Sequence, residues 1–219
     1  MEIPAYIYVI NISKGMSTTE RCRESSMPED RWHILLDSVL YNHFWLFLTG
    51  CMPRYLRKSM GQLLVKEMYV DLDRKVHQFN DEQGQLCAKM EVTPDQQTIV
   101  AICTPLMQRV HESFKSSGEM IFVDSSGNCD RHNSRIFLVL THSPAGGLPL
   151  GMLVTTSEST PTIEAAFRLL QSVLPERAFF GRGVLGPQVV MTDDCTALRQ
   201  GLHAVYPEAC LILCIFHLK

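Results

Sequence analysis

Two periods of apolar positions alternate along this chain, and their order is more informative than either alone. Tyr6-Ile7-Tyr8-Val9-Ile10 forms a short β-like run, and the polar, aperiodic residues 11–30 read as loop or disorder. Over residues 31–48, Ile34, Leu35, Val39, Leu40, Phe44 and Phe47 recur at helical spacing, and Gly50 and Pro53 stop the pattern. A weaker helical stretch covers residues 54–70, with Arg54, Arg57 and Lys58 on a solvated side. Residues 86–92 then alternate (Leu86, Ala88, Met90, Val92), Thr93-Pro94-Asp95 signals a turn, and residues 98–103 return, predicting a hairpin. Thr104-Pro105 pairs an N-cap with proline at the first helical position, and Leu106, Val110 and Phe114 mark one face of a helix that Ser116-Ser117-Gly118 ends.

From residue 119 onward the pattern reads β-β-β-α-β-α-β. Residues 120–123 are a strand ending in Asp124; residues 135–140 are a second; Gly146-Gly147 is a turn; residues 148–155 are a third. Thr160-Pro161 opens a helix with Ile163, Phe167, Leu170 and Leu174 on one face, which Pro175 closes. A glycine-rich loop leads to the strand at residues 188–191, then a helix with Leu198, Leu202 and Val205 on one side, then a strand at residues 209–214. Three sequential strands favour antiparallel pairing, whereas the two later β-α-β units must be parallel and right-handed. The expected product is an α/β fold with a mixed sheet of the ribonuclease-H-like kind, incomplete at the C-terminus and preceded by an α+β N-terminal segment. The expected organisation is residues 1–82, partly helical and without an assigned role; residues 83–118, a hairpin and helix leading into the core; and residues 119–219, the N-terminal half of that fold.

Composition changes this picture in two places. A net charge of −3 and a pI near 6.2 lack the basic excess of a domain that grips DNA along its length. Residues 35–52 are rich in Leu and Phe, but Asp37, Asn42 and His43 interrupt them, so no membrane span and a soluble chain are expected. The eight cysteines form no CxxC pair and several sit in apolar runs, which points to reduced thiols in an intracellular compartment. Cys210, Cys214 and His217, with Cys195 nearby, match no common zinc spacing. Gly181-Arg182-Gly183-Val184-Leu185-Gly186 spells GxGxxG, but it follows a helix and precedes a strand, the reverse of a dinucleotide-binding turn.

The candidate chemistry lies in two aspartates. With the first and fourth strands of the fold adjacent, Asp124 and Asp193 converge at one sheet edge and offer hard oxygen ligands suited to Mg²⁺ or Mn²⁺. Two such ions can activate an attacking oxygen and stabilise a leaving one in phosphodiester displacement. Each aspartate also has a plain structural reading: Asp193 and Asp194 open a helix, and Asp124 precedes the turn-forming Ser125-Ser126-Gly127-Asn128.

Ile121-Phe122-Val123-Asp124, then Met191-Thr192-Asp193-Asp194, then Val205-Tyr206-Pro207, then Cys214-Ile215-Phe216-His217 resemble, in that order, the Mutator-like element transposase domain. The resemblance spans about residues 100–219. It implies a DDE-type metal site with Asp124 and Asp193 as first and second acids, Asp194 as the neighbour open to confusion with the second, and Cys214 and His217 as the family's CxxH element. It further implies Mg²⁺- or Mn²⁺-dependent DNA cleavage and strand transfer, a nuclear location, DNA as partner, and no membrane, leaving oligomeric state open. The family's third acid, a glutamate, lies well beyond the CxxH, so the expectation for this chain is a transposase fragment lacking activity. The alternative is a domesticated, non-catalytic interaction or DNA-associated module.

Overall fold

A computed structural model describes residues 62–126, 134–144 and 146–214. The expected elements over residues 6–10, 11–30 and 31–48, the cluster Arg54, Arg57 and Lys58, and His217 lie outside the described residues. Two compact units are present, residues 76–219 with residues 1–10, and residues 11–75.

The first described element is a helix, α1 (Gln62–Gln83). The sequence pattern places a helix at residues 54–70, and the described helix instead runs on to Gln83. Its later turns carry a sparse apolar stripe, Leu72, Val76 and Phe79, of which Val76 is buried, and this continues the helix past Val70. They are built of good helix formers such as Gln, Glu, Lys and Arg, with (i, i+4) contacts such as Gln78 to Glu82 (2.8 Å).

In the unit containing residues 76–219, seven strands form one mixed sheet. They are β1 (Ala88–Val92), β2 (Thr98–Ile102), β3 (Met120–Ser126), β4 (Arg135–Ser143), β5 (Gly146–Thr155), β6 (Val189–Thr192) and β7 (Cys210–Leu213), in the order β1-β2-β5-β4-β3-β6-β7. The expected hairpin is β1–β2, closed where Thr93 N–H donates to the Gln97 carbonyl (2.8 Å) and Gln97 N–H to Thr93 Oγ1 (3.1 Å). β3, β4 and β5 pair antiparallel in sequence, and β6 and β7 add parallel to β3 on its other side. Both pairing modes follow from connection length: short loops permit only antiparallel return, while the helical crossovers α4 (Thr160–Gln171) and α6 (Thr196–Val205) return the chain parallel.

One turn and one helix face differ from the sequence reading. Gly146 and Gly147 are not the β4–β5 turn but the first residues of β5, registered opposite Ser143 and His142. The reversal falls one step earlier, at Pro144, a residue pre-set for turns. In α2 (Pro105–Ser113) the cap is as expected: Thr104 Oγ1 accepts the Met107 N–H, with Pro105 in the first turn. The buried face is Met107, Val110 and His111, however, not Leu106, Val110 and Phe114. The helix stops at Ser113, so Phe114 takes an extended conformation and stays 41% exposed.

Helices α2, α4 and α6 cover one sheet face, where Ile99, Ala101, Ile121, Val123, Phe137, Val139, Leu153 and Val190 meet Ile163, Phe167, Leu170, Leu198 and Leu202. The α4–α6 crossing depends on Gly201, where a Cβ would lie 2.7 Å from the Ile163 side chain. By strand alternation Val100, Ile102, Phe122, Leu140 and Met152 belong to the opposite face, and they are buried too. Burial on both faces explains why β2 (Thr-Ile-Val-Ala-Ile) is apolar almost throughout instead of alternating.

Two short helices, α3 (Ser116–Glu119) and α5 (Ala178–Gly181), lead toward the N-terminal ends of β3 and β6.

Candidate functional site: the C-terminal edge of the parallel strands

β3 is where the chain reverses its direction of travel through the sheet. The β3–β4–β5 meander runs one way from it, and α4 carries the chain back across to β6 on the other side. In open α/β sheets such a switch point leaves a crevice beyond the strand C-termini, the usual place for a ligand.

The register brings the predicted residues to this edge. β3 and β6 pair in parallel through Met120–Val189, Ile121–Val190 and Phe122–Met191. Asp124 and Asp193 each stand two residues beyond that last pair, so they occupy equivalent positions on neighbouring strands spaced about 4.8 Å apart. On the other side of β6, Thr192 registers with Leu213, and the Cys214 N–H donates to the Thr192 carbonyl (2.7 Å). Cys214 therefore stands next to Asp193 at the same edge. Asp124, Asp193 and Cys214 are far apart in sequence, and the parallel pairing alone puts them in one row.

Their surroundings differ. The sequence pattern ends the strand at Asp124, but β3 continues to Ser126, so Asp124 is held inside the β3–β4 ladder opposite Leu138. It is half-buried, and its Oδ1 accepts the Ser125 N–H (3.0 Å). Asp193 is the first residue past β6. Its Oδ1 accepts the Cys195 N–H (3.1 Å), an Asx-type turn that steers the chain into α6. Cys195, not either aspartate, is the N-cap residue, and its carbonyl accepts the Arg199 N–H (3.0 Å). Asp194 projects outward, 68% exposed, with one oxygen 3.9 Å from the Arg199 guanidinium. Cys214 is buried, whereas Cys210 is exposed. His217 lies outside the described residues, as does the CxxH partnership it would make.

Among the described residues no group of three or more His, Cys, Asp and Glu side chains gathers to hold a metal ion. The donor chemistry of Asp124 and Asp193 is that of a hard divalent cation, and two carboxylates are fewer than a closed coordination shell requires. Among the described residues, too, no helix is long and apolar enough to cross a membrane.

The opposite end of the same strands holds a buried histidine that the sequence pattern did not single out. His111 is buried on α2. Its Nε2–H donates to the Leu150 carbonyl (3.0 Å) and its Nδ1 accepts the Phe179 N–H (3.3 Å), which fixes a neutral tautomer. Burial pushes its pKa down to about 4, the Leu150 hydrogen bond only partly offsetting this. The signal was present in the sequence: His111 is i+4 from Met107 and adjacent to Val110, on the apolar face once the stripe is set correctly.

No protein-family model matches this chain, and no curated protein matches it.

Proposed function

We propose that residues 119–219 form the opening half of a ribonuclease-H-like domain of the Mutator-like transposase kind, with Asp124 and Asp193 as two of its metal-binding acids. The observation that carries the reading is the parallel β3–β6 pairing, which gives the two aspartates equivalent positions at a topological switch point. The strand order β5-β4-β3-β6-β7, with its antiparallel meander and two parallel additions, supports the same fold. A divalent ion, Mg²⁺ or Mn²⁺, would be held by the Asp124 and Asp193 carboxylates and would supply activation of an attacking oxygen at a DNA phosphodiester. The chain's own part is to keep both carboxylates at one edge, Asp124 by the β3–β4 ladder and Asp193 by the turn into α6. DNA is the proposed partner and the nucleus the proposed location. A complete site needs a further acid beyond the two considered, so the described residues alone give weak metal binding and very poor strand transfer.

One observation favours a second reading, a domesticated non-catalytic interaction or DNA-associated module. Both carboxylates already accept a backbone N–H, as purely structural turn residues would.

Thermal unfolding of the full chain during Mg²⁺ and Mn²⁺ titration separates the two. Ligand present at ten times its dissociation constant stabilises by about 1.4 kcal/mol, a rise of a few degrees. The transposase reading expects a saturable rise that Asp124→Asn and Asp193→Asn each abolish. A wild-type chain that ignores both metals supports the non-catalytic reading.

A further inference from the structure

Among the described residues, and outside the acidic edge, the sheet sets one pair of thiols opposite each other, Cys87 and Cys103. Ala88 is registered with Ile102, so the residues just outside that pair are opposite each other, and the Cys103 N–H donates to the Cys87 carbonyl (2.7 Å). Strand alternation puts the two side chains on the same face of the hairpin. Both residues are fully buried and both are free thiols. Directly opposed residues in a hydrogen-bonded antiparallel pair have Cα atoms about 5.5 Å apart. Disulfides span Cα separations of about 4.4–6.8 Å, most often near 5.5–6 Å. Opposed positions of this kind therefore fall within the Cα range that a disulfide spans.

We propose that Cys87 and Cys103 are a reversible redox couple, forming a cross-strand disulfide that closes the open end of the β1–β2 hairpin. The oxidant is a small disulfide of the glutathione class. The Cys87 thiolate attacks one sulfur of that disulfide, whose S–S bond breaks and releases one small thiol. The Cys103 thiolate then attacks the Cys87 sulfur, forming the intrachain S–S bond and releasing the second small thiol. Two protein thiols are oxidised, one small disulfide is reduced to two thiols, and the two protein protons end on those thiols.

The position gives the bond leverage. Cys87 N–H and Ala88 N–H both donate to Asn80 Oδ1 near the end of α1 (2.8 and 2.9 Å). The Gln108 side-chain amide on α2 donates to the carbonyls of Leu86 (3.0 Å) and Cys103 (3.3 Å). A bridge at this point ties together the end of α1, the start of β1, the end of β2 and the start of α2. Access is gated, because burial pushes both thiols above their ordinary range, Cys103 further than Cys87, and neither residue reaches solvent. Among the described residues β1 stands at the end of the strand order with a single strand neighbour, and the periphery of a sheet opens at lower free energy than its centre. Opening of β1 exposes Cys87 first, which makes it the attacking thiol, while Cys103 Sγ stays against the Leu150 carbonyl (3.5 Å) as the resolving one.

The test equilibrates the full chain in glutathione buffers of graded oxidised-to-reduced ratio, approached both from the folded reduced protein and by refolding from urea in the same buffer. Acid quenching, alkylation and peptide mass mapping then locate each thiol. The expected result by both routes is one Cys87–Cys103 cross-linked peptide, with a thermal midpoint raised by roughly 5–10 °C for a closed loop of about 15 residues. Cys87→Ala and Cys103→Ala should each lose that rise. The proposal is overturned if refolding in the most oxidising buffer leaves both cysteines alkylated or capped by glutathione. A cross-link of Cys103 to any other cysteine, or a bridge that lowers the thermal midpoint, overturns it equally.

Discussion

The parallel strands β3, β6 and β7 have two ends built on opposite principles. At their N-terminal ends the chain is fixed by shape. Gln188 links the strand starts, its N–H donating to the Gly118 carbonyl (2.9 Å) and its carbonyl accepting the Cys210 N–H (2.8 Å). Around that link Phe179 meets His111 edge-on at 4.7 Å and Tyr206 at 5.7 Å, all three rings buried. This end tolerates strain: Phe179 and Phe180 both adopt left-handed backbone angles (φ 53° and 55°), at a cost of roughly 1–2 kcal/mol each. At the C-terminal ends polar contacts shape the chain, among them Asp193 to the Cys195 N–H and Asp124 to the Ser125 N–H, with side chains left partly in solvent. Rigid apolar packing at one end lets the other present carboxylates without supplying the stability itself.

The sharpest way to break that contrast is at Gly186. Its φ is 71°, and a Cβ would lie 2.2 Å from the Tyr206 ring. Gly186→Val combines a disfavoured backbone with overpacking, and a loss of about 3–5 kcal/mol is expected in urea unfolding. A loss below 1 kcal/mol would mean that the ring end is plastic and that the distinction between the two ends is false.

A second test uses pH. Because the folded pKa of His111 is lowered to about 4, folding favours the neutral imidazole. Above about pH 6.5 both states are neutral and the stability is fully present. As pH falls through 6.5 the unfolded chain takes up a proton that the folded chain refuses, so stability is lost until about pH 4, some 3 kcal/mol in all. Urea midpoints at pH 7.5 and 4.5, compared between the wild type and His111→Gln, isolate this contribution from the carboxylates. Equal acid sensitivity in the two proteins would remove His111 from the account of the ring end.

Sequence pattern carried the β-β-β-α-β-α-β order, because each strand is an apolar run and each crossover helix has a clean stripe, as in Leu198, Leu202 and Val205. What escaped it depended on partners distant in sequence. The α2 stripe was misassigned by one position because Leu106 and Met107 are equally apolar, and only contact with β5 decides between them. The strand order already brought Asp124 and Asp193 to one edge, whereas the register that sets Cys214 beside Asp193 is encoded in no local pattern. The left-handed Phe179 opposes its own propensity, and its N–H is held by a histidine more than sixty residues away. That Asp124 and Asp193 come to one edge of the sheet was legible from strand order, whereas their engagement with backbone N–H groups was not.

At the carboxylate end the effects should be smaller. Asp193→Ala removes the acceptor for the Cys195 N–H and should cost about 1 kcal/mol, whereas Asp193→Asn keeps an acceptor oxygen and should cost less than about 0.5 kcal/mol. The two variants together separate the turn role of Asp193 from a metal role, since both lose the carboxylate charge and only one loses the turn. If Asp193→Asn is as damaging as Asp193→Ala in metal-free buffer, the charge itself supports the turn, and the metal assay must be read against that loss.

The smallest effect, and the most discriminating, belongs to Asp194. The sequence reads Asp-Asp, and either residue could be the second acid of the proposed site. Asp194 is exposed and its nearest cation is 3.9 Å away, so Asp194→Asn should shift stability by less than about 0.5 kcal/mol. The register gives it no counterpart across β3, because Asp193 and not Asp194 matches Asp124 in distance from the last paired residues. Asp194→Asn should therefore leave a Mg²⁺- or Mn²⁺-induced rise in thermal midpoint intact, while Asp193→Asn removes it. The reverse result would move the second acid one residue along, to a side chain carried on the bend before α6 instead of the strand end. The row built by parallel pairing would then be a feature of the sheet without a part in metal binding.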